Sequence, residues 1–394
     1  MQKRKRRPPV GNQKAKYTYQ NEGRYFGMIG EGIEELARNE LMRLGARKIE
    51  AGYRGLYFQA DHETLYRVTY RTRLIQKIIA PLEFLDCHST KYLYQRAKAI
   101  EWTDFLGLDK TFAIVSNVSN SNIRHSQYAA QCLKDAIVDQ FREKFEQRPS
   151  VDTDNPDVWL NLYIHNNRAV IGLEVSGGSL HKRGYRLIGH EAPMQETVAA
   201  AIIDHSGWKG DQPLYDPMCG SGTLLCEALM TYCRIPAGYF REKFGFQALP
   251  DHDEALWQVV REKNNRNIRS FPEGLIAGSD INLEALDAAT ANLGHLPHGE
   301  DVKLKHIDLR NIKALAGACI VSNPPFGLRL QKREGMETFY KDLGDWLKQQ
   351  CQGSSAYLYL GDRERIKDIH LRTTWKKPLK SGGLDGRLIK LELF

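Results

Sequence analysis

The residues with the clearest chemical potential form two short strings, 216–223 and 323–326. The first string reads Asp-Pro-Met-Cys-Gly-Ser-Gly-Thr and lies between a predicted strand and a predicted helix. Gly220 and Gly222 allow the backbone to turn sharply and to approach a ligand without a Cβ clash. A helix that begins near Ser221 offers free N–H groups to polar groups of that ligand. This string therefore predicts a nucleoside-type ligand at the end of a strand.

Two further predicted strand ends carry carboxylates. Asp280 ends the predicted strand 275–279, and Asp308 follows the predicted strand 302–306. In a Rossmann-like sheet, a carboxylate at the position of Asp280 can accept hydrogen bonds from both ribose hydroxyls. The carboxylate of Asp308 could accept a hydrogen bond from an adenine amino group. Each aspartate alone is more typical of a helix cap or a turn, but three acidic or glycine-rich strand ends in succession favour an adenosine site.

The second string, Asn-Pro-Pro-Phe, follows the predicted strand 319–322. Two prolines hold the backbone extended, and the carbonyl oxygens of the Asn323 side chain and the Pro324 backbone can accept both hydrogens of one NH₂ group. Phe326 offers a face on which a base can stack. An aryl amine is a poor nucleophile because its lone pair is delocalised, and two fixed acceptors can aim that lone pair. A Pro-Pro turn without chemistry is the alternative interpretation.

Together the two strings indicate methyl transfer from S-adenosylmethionine to an exocyclic nitrogen. A nicotinamide dehydrogenase is disfavoured because Leu225 stands at the position of the third glycine of Gly-x-Gly-x-x-Gly. The sequence also contains no Gly-x-x-x-x-Gly-Lys-Ser/Thr phosphate loop. A target base within a duplex would have to be flipped out of its stack to reach such a pocket.

The composition limits which partners and which cellular compartment are expected for this protein. The 394 residues are 42% hydrophobic and 26% charged, which is enough for two or three domains with a core. A net charge of +8 favours a polyanionic partner. The seven cysteines include no Cys-x-x-Cys pair, which predicts a reducing compartment and no metal site. No apolar run is long enough to span a bilayer and no signal peptide is evident, so we expect a cytoplasmic protein without a membrane partner.

Periodicity divides the chain into four segments. Residues 1–16 form a basic tail, expected to be either a solvated disordered segment or a phosphate-binding arm. Residues 17–70 are typical of a small α+β unit, and residues 71–176 add short strands and the strong helix 127–145. After a glycine pair, strands alternate with helices, which predicts a parallel sheet in residues 177–394.

An insertion over residues 234–269 separates the first helix from the second strand of that sheet. It mixes basic and aromatic side chains. Two interpretations are open, a surface that holds a splayed RNA loop and an amphipathic helical cover. The side chains concerned are Arg241, Lys243, Phe244, Phe246, Trp257, Arg261 and Lys263.

These residues resemble a known family. The chain is similar to the bacterial large-subunit ribosomal RNA guanine-N2 methyltransferases, in their THUMP-containing N-terminal half. The string 216–223 resembles the first cofactor motif of that family, and 323–327 resembles its catalytic motif, in which tyrosine often stands in place of phenylalanine. Further similarity lies at the junction between THUMP and methyltransferase domains, and within THUMP itself. Those stretches are 180–186, 196–197, 124–128 and 134–137.

The resemblance implies an α/β fold with a Rossmann-like methyltransferase domain over 177–394. An α+β THUMP RNA-binding domain would precede it over 71–176, and a ferredoxin-like subdomain over 17–70. It implies S-adenosylmethionine as cofactor and N2-methylguanosine in 23S rRNA, free or in an assembling 50S particle, as product. The predicted catalytic residues are Asn323, Pro324, Pro325 and Phe326. The predicted cofactor-binding residues are Glu196, Thr197, Asp216, Pro217, Cys219, Gly220, Ser221, Gly222, Thr223, Asp280, Ile281, Asp308, Leu309 and Asn323.

Several alternatives remain open. THUMP methyltransferases that act on tRNA guanosine share most of these motifs. DNA adenine-N6 methylation would use the same Asn-Pro-Pro-Phe string, but the THUMP-like region argues against it. A protein glutamine methyltransferase would not need a basic RNA-binding domain. A ribosome assembly factor that binds RNA without catalysis is the non-enzyme alternative. Some relatives carry a second methyltransferase domain after this one, and no second modification is expected of a chain that stops at Phe394.

Overall fold

The computed structural model describes residues 15–188, 194–325 and 335–394. Most of the basic tail, residues 1–14, lies outside the described residues. The helices are α1 (Thr18–Glu22), α2 (Glu34–Arg43), α3 (His62–Arg71), α4 (Thr90–Lys98), α5 (Ser126–Phe145), α6 (Glu196–Ser206), α7 (Thr223–Cys233), α8 (Glu254–Asn265), α9 (Leu283–Gly294) and α10 (Met336–Gln350). Short 3-10 helices span Trp102–Asp104, Gly245–Ala248, Gly299–Asp301, Leu309–Asn311 and Arg363–Ile369.

The strands confirm the alternation of strand and helix that the sequence predicts after the glycine pair. They are β1 (Arg24–Ile29), β2 (Arg47–Gly52), β3 (Gly55–Gln59), β4 (Ile75–Asp86), β5 (Thr111–Ser119), β6 (Ser150–Val151), β7 (Val158–His165), β8 (Arg168–Glu174), β9 (Leu214–Asp216), β10 (Ile276–Asp280), β11 (Lys303–His306), β12 (Cys319–Ser322), β13 (Ser355–Leu360), β14 (Trp375–Ser381) and β15 (Leu384–Glu392). Across the described ranges, every helix is too short or too polar to span a bilayer.

The chain divides into two compact units. The first consists of the described residues up to Phe26 together with Ile79–Glu174 and Ala248–Pro250. Its sheet runs β4, β8, β7, β5 and β6, with β4 and β7 antiparallel to β8 and with β5 parallel to both β7 and β6. The turn between β7 and β8 is a tight hairpin turn, in which Asn166 and Asn167 adopt φ angles of 50° and 58°, as such a turn requires.

The second unit consists of the described residues of Gly27–Ile78, Val175–Gln247 and Asp251–Phe394. Its main sheet has seven strands in the order β11, β10, β9, β12, β13, β15 and β14. The first five are mutually parallel, and β15 runs antiparallel to both of its neighbours. Helix α10 packs on one face of this sheet, where Leu343 and Leu347 join Ile320 and Leu358 in a buried core.

A buried ion pair anchors α7 within the second unit. The side chains of Arg183 and Glu227 are both 0% exposed, and Nε of Arg183 lies 3.2 Å from Oε1 of Glu227. Arg183 also donates to the carbonyl oxygens of Leu180 and Arg73, at 2.7 Å and 2.6 Å. Because loss of one partner would leave a charge buried without compensation, this pair holds α7, and the loop that precedes it, in place.

The aromatic side chains of the insertion 234–269 belong to the core. Phe244, Phe246 and Trp257 are 4%, 0% and 1% exposed. The Trp257 ring centroid lies 5.3 Å from that of Tyr70 and 6.1 Å from that of Tyr66, both on α3. Rings enclosed in this way have no free face for a base, so the interpretation as an RNA-loop holder is wrong for them. For these three side chains the helical-cover interpretation holds instead.

Candidate active site

The two strings leave neighbouring strands at the same edge of the seven-stranded sheet. β9 and β12 are parallel neighbours, with Leu214 opposite Cys319 and Tyr215 opposite Ile320. The chain proceeds from β9 to β10 on one side, whereas β12 lies on the other side, so the strand order reverses at this point. Open α/β sheets bind ligands in the crevice outside the carboxyl ends of strands at such a reversal.

Asp216 joins the two strand ends. Its Oδ1 atom accepts a hydrogen bond from Ser322 Oγ at 2.8 Å and another from the backbone N–H of Met218 at 3.1 Å. The residue is 1% exposed. Burial raises the pKa of the Asp216 carboxyl to about 7, and the hydrogen bonds from Met218 and Ser322 offset only part of that effect. This predicted cofactor residue therefore also organises the protein's own loop.

This buried carboxyl makes stability depend on pH in a defined direction. The folded protein holds the Asp216 proton more tightly than the unfolded chain does, because the pKa rises from 3.8 to about 7 on folding. The associated stability is complete below pH ~4 and is lost as the pH rises to ~7. Asp216→Asn keeps the acceptor oxygen but cannot ionise. We therefore expect the difference in unfolding free energy between this variant and the wild type to shift in favour of the variant as the pH rises through this window. The expected shift is on the order of 4 kcal/mol.

Denaturant unfolding at a series of pH values measures this difference directly. Asp287→Asn, which removes an exposed carboxylate from α9, is the matched control. A constant difference between Asp216→Asn and wild type from acid to neutral pH would contradict the prediction.

The glycine loop leaves room for a ligand. Gly220 and Gly222 adopt φ angles of 53° and 80°, a conformation that L side chains rarely tolerate. A Cβ atom at Gly220 would meet no atom within 4 Å, whereas one at Gly222 would lie 3.1 Å from Cβ of Ala289 on α9. Gly222 is the N-cap of α7 and no side chain caps that helix. The open space therefore lies beside Gly220, next to first-turn N–H groups that no side chain satisfies.

Asp280 links the end of β10 to the glycine loop. Its Oδ2 atom accepts a hydrogen bond from the backbone N–H of Gly220, and its Oδ1 atom accepts one from the N–H of Asn282, both at 2.8 Å. Each carboxylate oxygen keeps a further lone pair for a ligand. The adjacent Ile281 is 61% exposed, so an apolar surface is available beside the carboxylate.

Asp308 is engaged differently from Asp280. Its Oδ1 atom accepts hydrogen bonds from the backbone N–H of Arg310 at 2.9 Å and from Nε of Arg310 at 3.0 Å. The Arg310 guanidinium lowers the pKa of the Asp308 carboxyl. Leu309, between them, is 7% exposed. The structure thus places Asp308 at the predicted strand end, with its carboxylate already paired.

Arg186 connects the predicted junction to the glycine loop. Its guanidinium lies 3.0 Å from Oε1 of Glu196 and donates to Ser221 Oγ and Thr223 Oγ1 at 3.4 Å and 3.3 Å. Thr197 Oγ1, beside Glu196, is buried and has no hydrogen-bond partner among the described residues. Sequence reasoning placed Arg186 in the junction stretch but did not identify this link, because the link joins residues far apart in the chain.

Asn323 carries a second unsatisfied oxygen at this edge. Its Oδ1 atom is buried and has no hydrogen-bond partner in the part of the chain that the structure describes. The next turn is held by Tyr340 of α10, whose hydroxyl donates to the carbonyl oxygen of Pro325 at 3.0 Å. Burial raises the pKa of Tyr340, so this hydroxyl keeps its proton. Phe326, the fourth predicted catalytic residue, lies outside the described residues.

These residues fit an adenosine-type cofactor. The open space beside Gly220 admits a ligand, the Asp280 carboxylate suits ribose hydroxyls, and uncapped N–H groups suit its polar atoms. The buried acceptor of Asn323 stands at the neighbouring strand end and needs a donor, since an unsatisfied buried polar atom costs roughly 1–3 kcal/mol. The arrangement can therefore hold a cofactor on one side and an N–H-bearing substrate on the other.

Three family models match the chain. Residues 183–390 match the family described as RMKL-like, methyltransferase domain. Residues 87–174 match the THUMP domain, and residues 28–79 match the RlmL ferredoxin-like domain. Together these matches include residues of both compact units.

The similarity of this chain to individual proteins agrees with the family matches. The Synechocystis protein slr0064, named as a candidate RNA methyltransferase, is 35% identical over 94% of this chain and 97% of its own length. Ribosomal RNA large subunit methyltransferase K/L of Photobacterium profundum is 35% identical over 92% of this chain. This chain spans 52% of that protein. The crystal structure of SMU.472, a candidate methyltransferase complexed with SAH, superimposes with a TM-score of 0.83 and 26% identity over 94% of this chain and 98% of that one.

Proposed function

This chain belongs to the RMKL-like methyltransferase family, and from that premise we propose that it transfers a methyl group from S-adenosylmethionine to the exocyclic N2 of a guanosine in 23S ribosomal RNA. The observation that carries the proposal is the buried, unpartnered Oδ1 atom of Asn323 at the strand end beside the glycine loop. An amino group of a base is a donor that such an atom can accept.

On the substrate side, two acceptors orient the amine. Asn323 Oδ1 and the carbonyl oxygen of Pro324 would each accept one hydrogen of the NH₂ group, which leaves the nitrogen lone pair directed away from both. Tyr340 restrains the turn through Pro325, so these acceptors stay in place. Orientation of this kind contributes roughly 7–11 kcal/mol in favourable cases. The alkylated nitrogen is acidic enough to release its proton to water, so no general base is needed.

On the cofactor side, the glycine loop and Asp280 would bind the nucleoside portion. S-adenosylmethionine, when bound, supplies a methyl group on a positively charged sulfur. Arg186 would hold Glu196 and the loop residues Ser221 and Thr223 in one arrangement. A separate hydrogen bond, from Ser322 Oγ to Asp216 Oδ1, joins the strand end that precedes Asn323 to the start of the glycine loop, and it would help to keep the two reactants close together.

Ribosomal RNA is the favoured substrate for two reasons. The K/L relatives are named for the large-subunit ribosomal RNA, and the THUMP match indicates an RNA-binding domain in the same chain. A guanosine within a helix would have to leave its stack to reach the Asn323 acceptor, because that oxygen is buried.

Methyl transfer to defined nucleic acids tests the proposal. The protein is incubated with labelled S-adenosylmethionine and unmodified 23S rRNA, tRNA or DNA, and each product is digested to nucleosides for mass spectrometry. We expect N2-methylguanosine from 23S rRNA. Label confined to tRNA would change the substrate, and N6-methyladenine in DNA would contradict both base and polymer. Cofactor binding without transfer to any of the three would favour a role in ribosome assembly.

A further inference from the structure

A basic groove lies on the edge strand of the seven-stranded sheet. It is a cavity of about 630 Å³ between the 3-10 helix Arg363–Ile369, the segment that follows it, and β14. Four lysine and arginine side chains line it against a single glutamate, Glu364. We call it the β14 groove and define its cations as Arg363, Lys367, Arg372 and Lys376. Arg372 also lines an adjoining cavity of about 700 Å³ that includes Lys348.

The cations of the β14 groove are not neutralised by the acids of the same segment. Arg365 pairs with two of the segment's three acids, its guanidinium lying 3.5 Å from Oδ2 of Asp362 and 3.0 Å from Oδ2 of Asp368. Among the described residues, no carboxylate oxygen lies within 4.0 Å of the charged nitrogens of the four groove cations. All four are exposed. Arg363 also interacts electrostatically with Asp385, beyond ion-pair distance. With four exposed cations against Glu364, the groove still presents an excess of positive charge in a concave surface, which attracts a polyanion.

One cation of the β14 groove lies in the same row of the sheet as the last residue of β12. Lys376 on β14 pairs with Ile389 on β15, Ile389 pairs with Leu358 on β13, and Leu358 pairs with Ser322 on β12. Lys376 thus stands in the row of the residue that precedes Asn323. Three strand spacings of ~4.8 Å separate them, which is about 14 Å.

Close backbone packing fixes the wall of the groove. The 3-10 helix Arg363–Ile369 rests on α10 so tightly that a Cβ on Gly344 would lie 1.9 Å from the carbonyl oxygen of Ile369. The same α10 carries Tyr340, which holds Pro325. One wall of the groove and the turn after Asn323 therefore both contact the same helix, α10.

We propose that the β14 groove binds phosphates of the RNA strand that flanks the target base. The proposal rests on the proposed function, because it takes RNA as the substrate. Exposed arginine and lysine side chains without a close ion-pair partner, in a concave surface, suit phosphodiester oxygens. Such contacts carry no sequence information, but they hold the strand in one register. Binding here would position the RNA while the target base enters the Asn323 crevice.

Arg372→Gln combined with Lys376→Gln in the full chain tests this assignment. The probe is an end-labelled, unmodified 23S rRNA transcript, and its Kd is measured over a series of KCl concentrations. We expect Kd to rise about tenfold at ~0.1 M salt, and the salt slope to fall by about 1.4, since each lost phosphate contact on a single strand contributes ~0.7. KM for RNA should rise with kcat unchanged, because the groove does not touch the reacting base.

Lys209→Gln combined with Lys313→Gln is the matched control. It removes the same charge from exposed positions that precede β9 and β12, on the amino-terminal side of those strands. Equal losses in the two double variants would mean a general charge effect and would overturn the groove. If Kd and salt slope were unchanged in Arg372→Gln/Lys376→Gln while the wild type still transferred methyl groups, RNA binding at the groove would be refuted and the proposed reaction would stand. An acidic protein segment would then be the ligand that fits the groove. Weakened RNA binding without any wild-type transfer would support the groove and refute the proposed reaction.

Discussion

Asn323→Ala should reduce methyl transfer by on the order of a thousandfold and leave cofactor affinity nearly unchanged. The buried Oδ1 atom of Asn323 has no partner among the described residues, so its removal costs the folded protein little. A substrate amine, in contrast, would lose one of two acceptors that direct its lone pair. Single-turnover transfer from labelled cofactor to 23S rRNA measures the rate, and calorimetry with S-adenosylhomocysteine measures cofactor affinity.

Two companion variants make that result specific. Asn311→Ala, at the exposed end of the 3-10 helix Leu309–Asn311, makes the same chemical change away from the acceptor and should retain activity. Tyr340→Phe removes the hydroxyl that donates to Pro325 and should lower the rate by roughly tenfold, since the turn loses one restraint but both acceptors remain. If Asn323→Ala instead caused a large loss of cofactor affinity, Asn323 would belong to the cofactor site and the proposed role would be wrong.

Asp280→Ala should weaken cofactor binding by about a hundredfold. Its carboxylate holds the N–H groups of Gly220 and Asn282, and in the proposed complex it also accepts from the ribose. A hydrogen bond to a charged group contributes ~1.5–3 kcal/mol, so the loss of two ribose contacts corresponds to roughly 3 kcal/mol or more, which is about a hundredfold in Kd. The measurement is titration calorimetry with S-adenosylhomocysteine.

Asp308→Ala is the matched control for Asp280→Ala. Its carboxylate is already paired with Arg310, so its free capacity for a ligand is smaller and the expected loss of cofactor affinity is only severalfold. Thermal unfolding of both variants shows whether either has lost its fold. Equal losses in the two variants would refute the distinction drawn between the two strand ends. An unchanged Kd in Asp280→Ala would place the ribose elsewhere.

Most of the local structure around the site follows from local sequence. Periodicity predicts β10, β11 and β12 within about a residue of their observed ends, because strand and helix patterns alternate along this part of the chain. The positions of Gly220 and Gly222 predict a tight loop, and both adopt positive φ angles. These features depend on neighbours in the chain, so the sequence contains them directly.

The insertion 234–269 shows where composition stops being informative. Its basic and aromatic residues fit an RNA surface and a helical cover equally well. The outcome depended on partners far away in the chain, since Tyr66 and Tyr70 of α3 enclose the insertion's rings. No local pattern encodes whether a ring will be enclosed.

The sequence by itself determined which residues could do chemistry and on which strand ends they stand. Only the tertiary structure decided how those ends meet. The pairing of β9 with β12, the hydrogen bond from Ser322 to Asp216 and the row from Ser322 to Lys376 all join distant parts of the chain. The physical reason is that hydrophobic periodicity is a local property, whereas the burial of Asn323 Oδ1 and the register of parallel strands arise only when the whole sheet assembles.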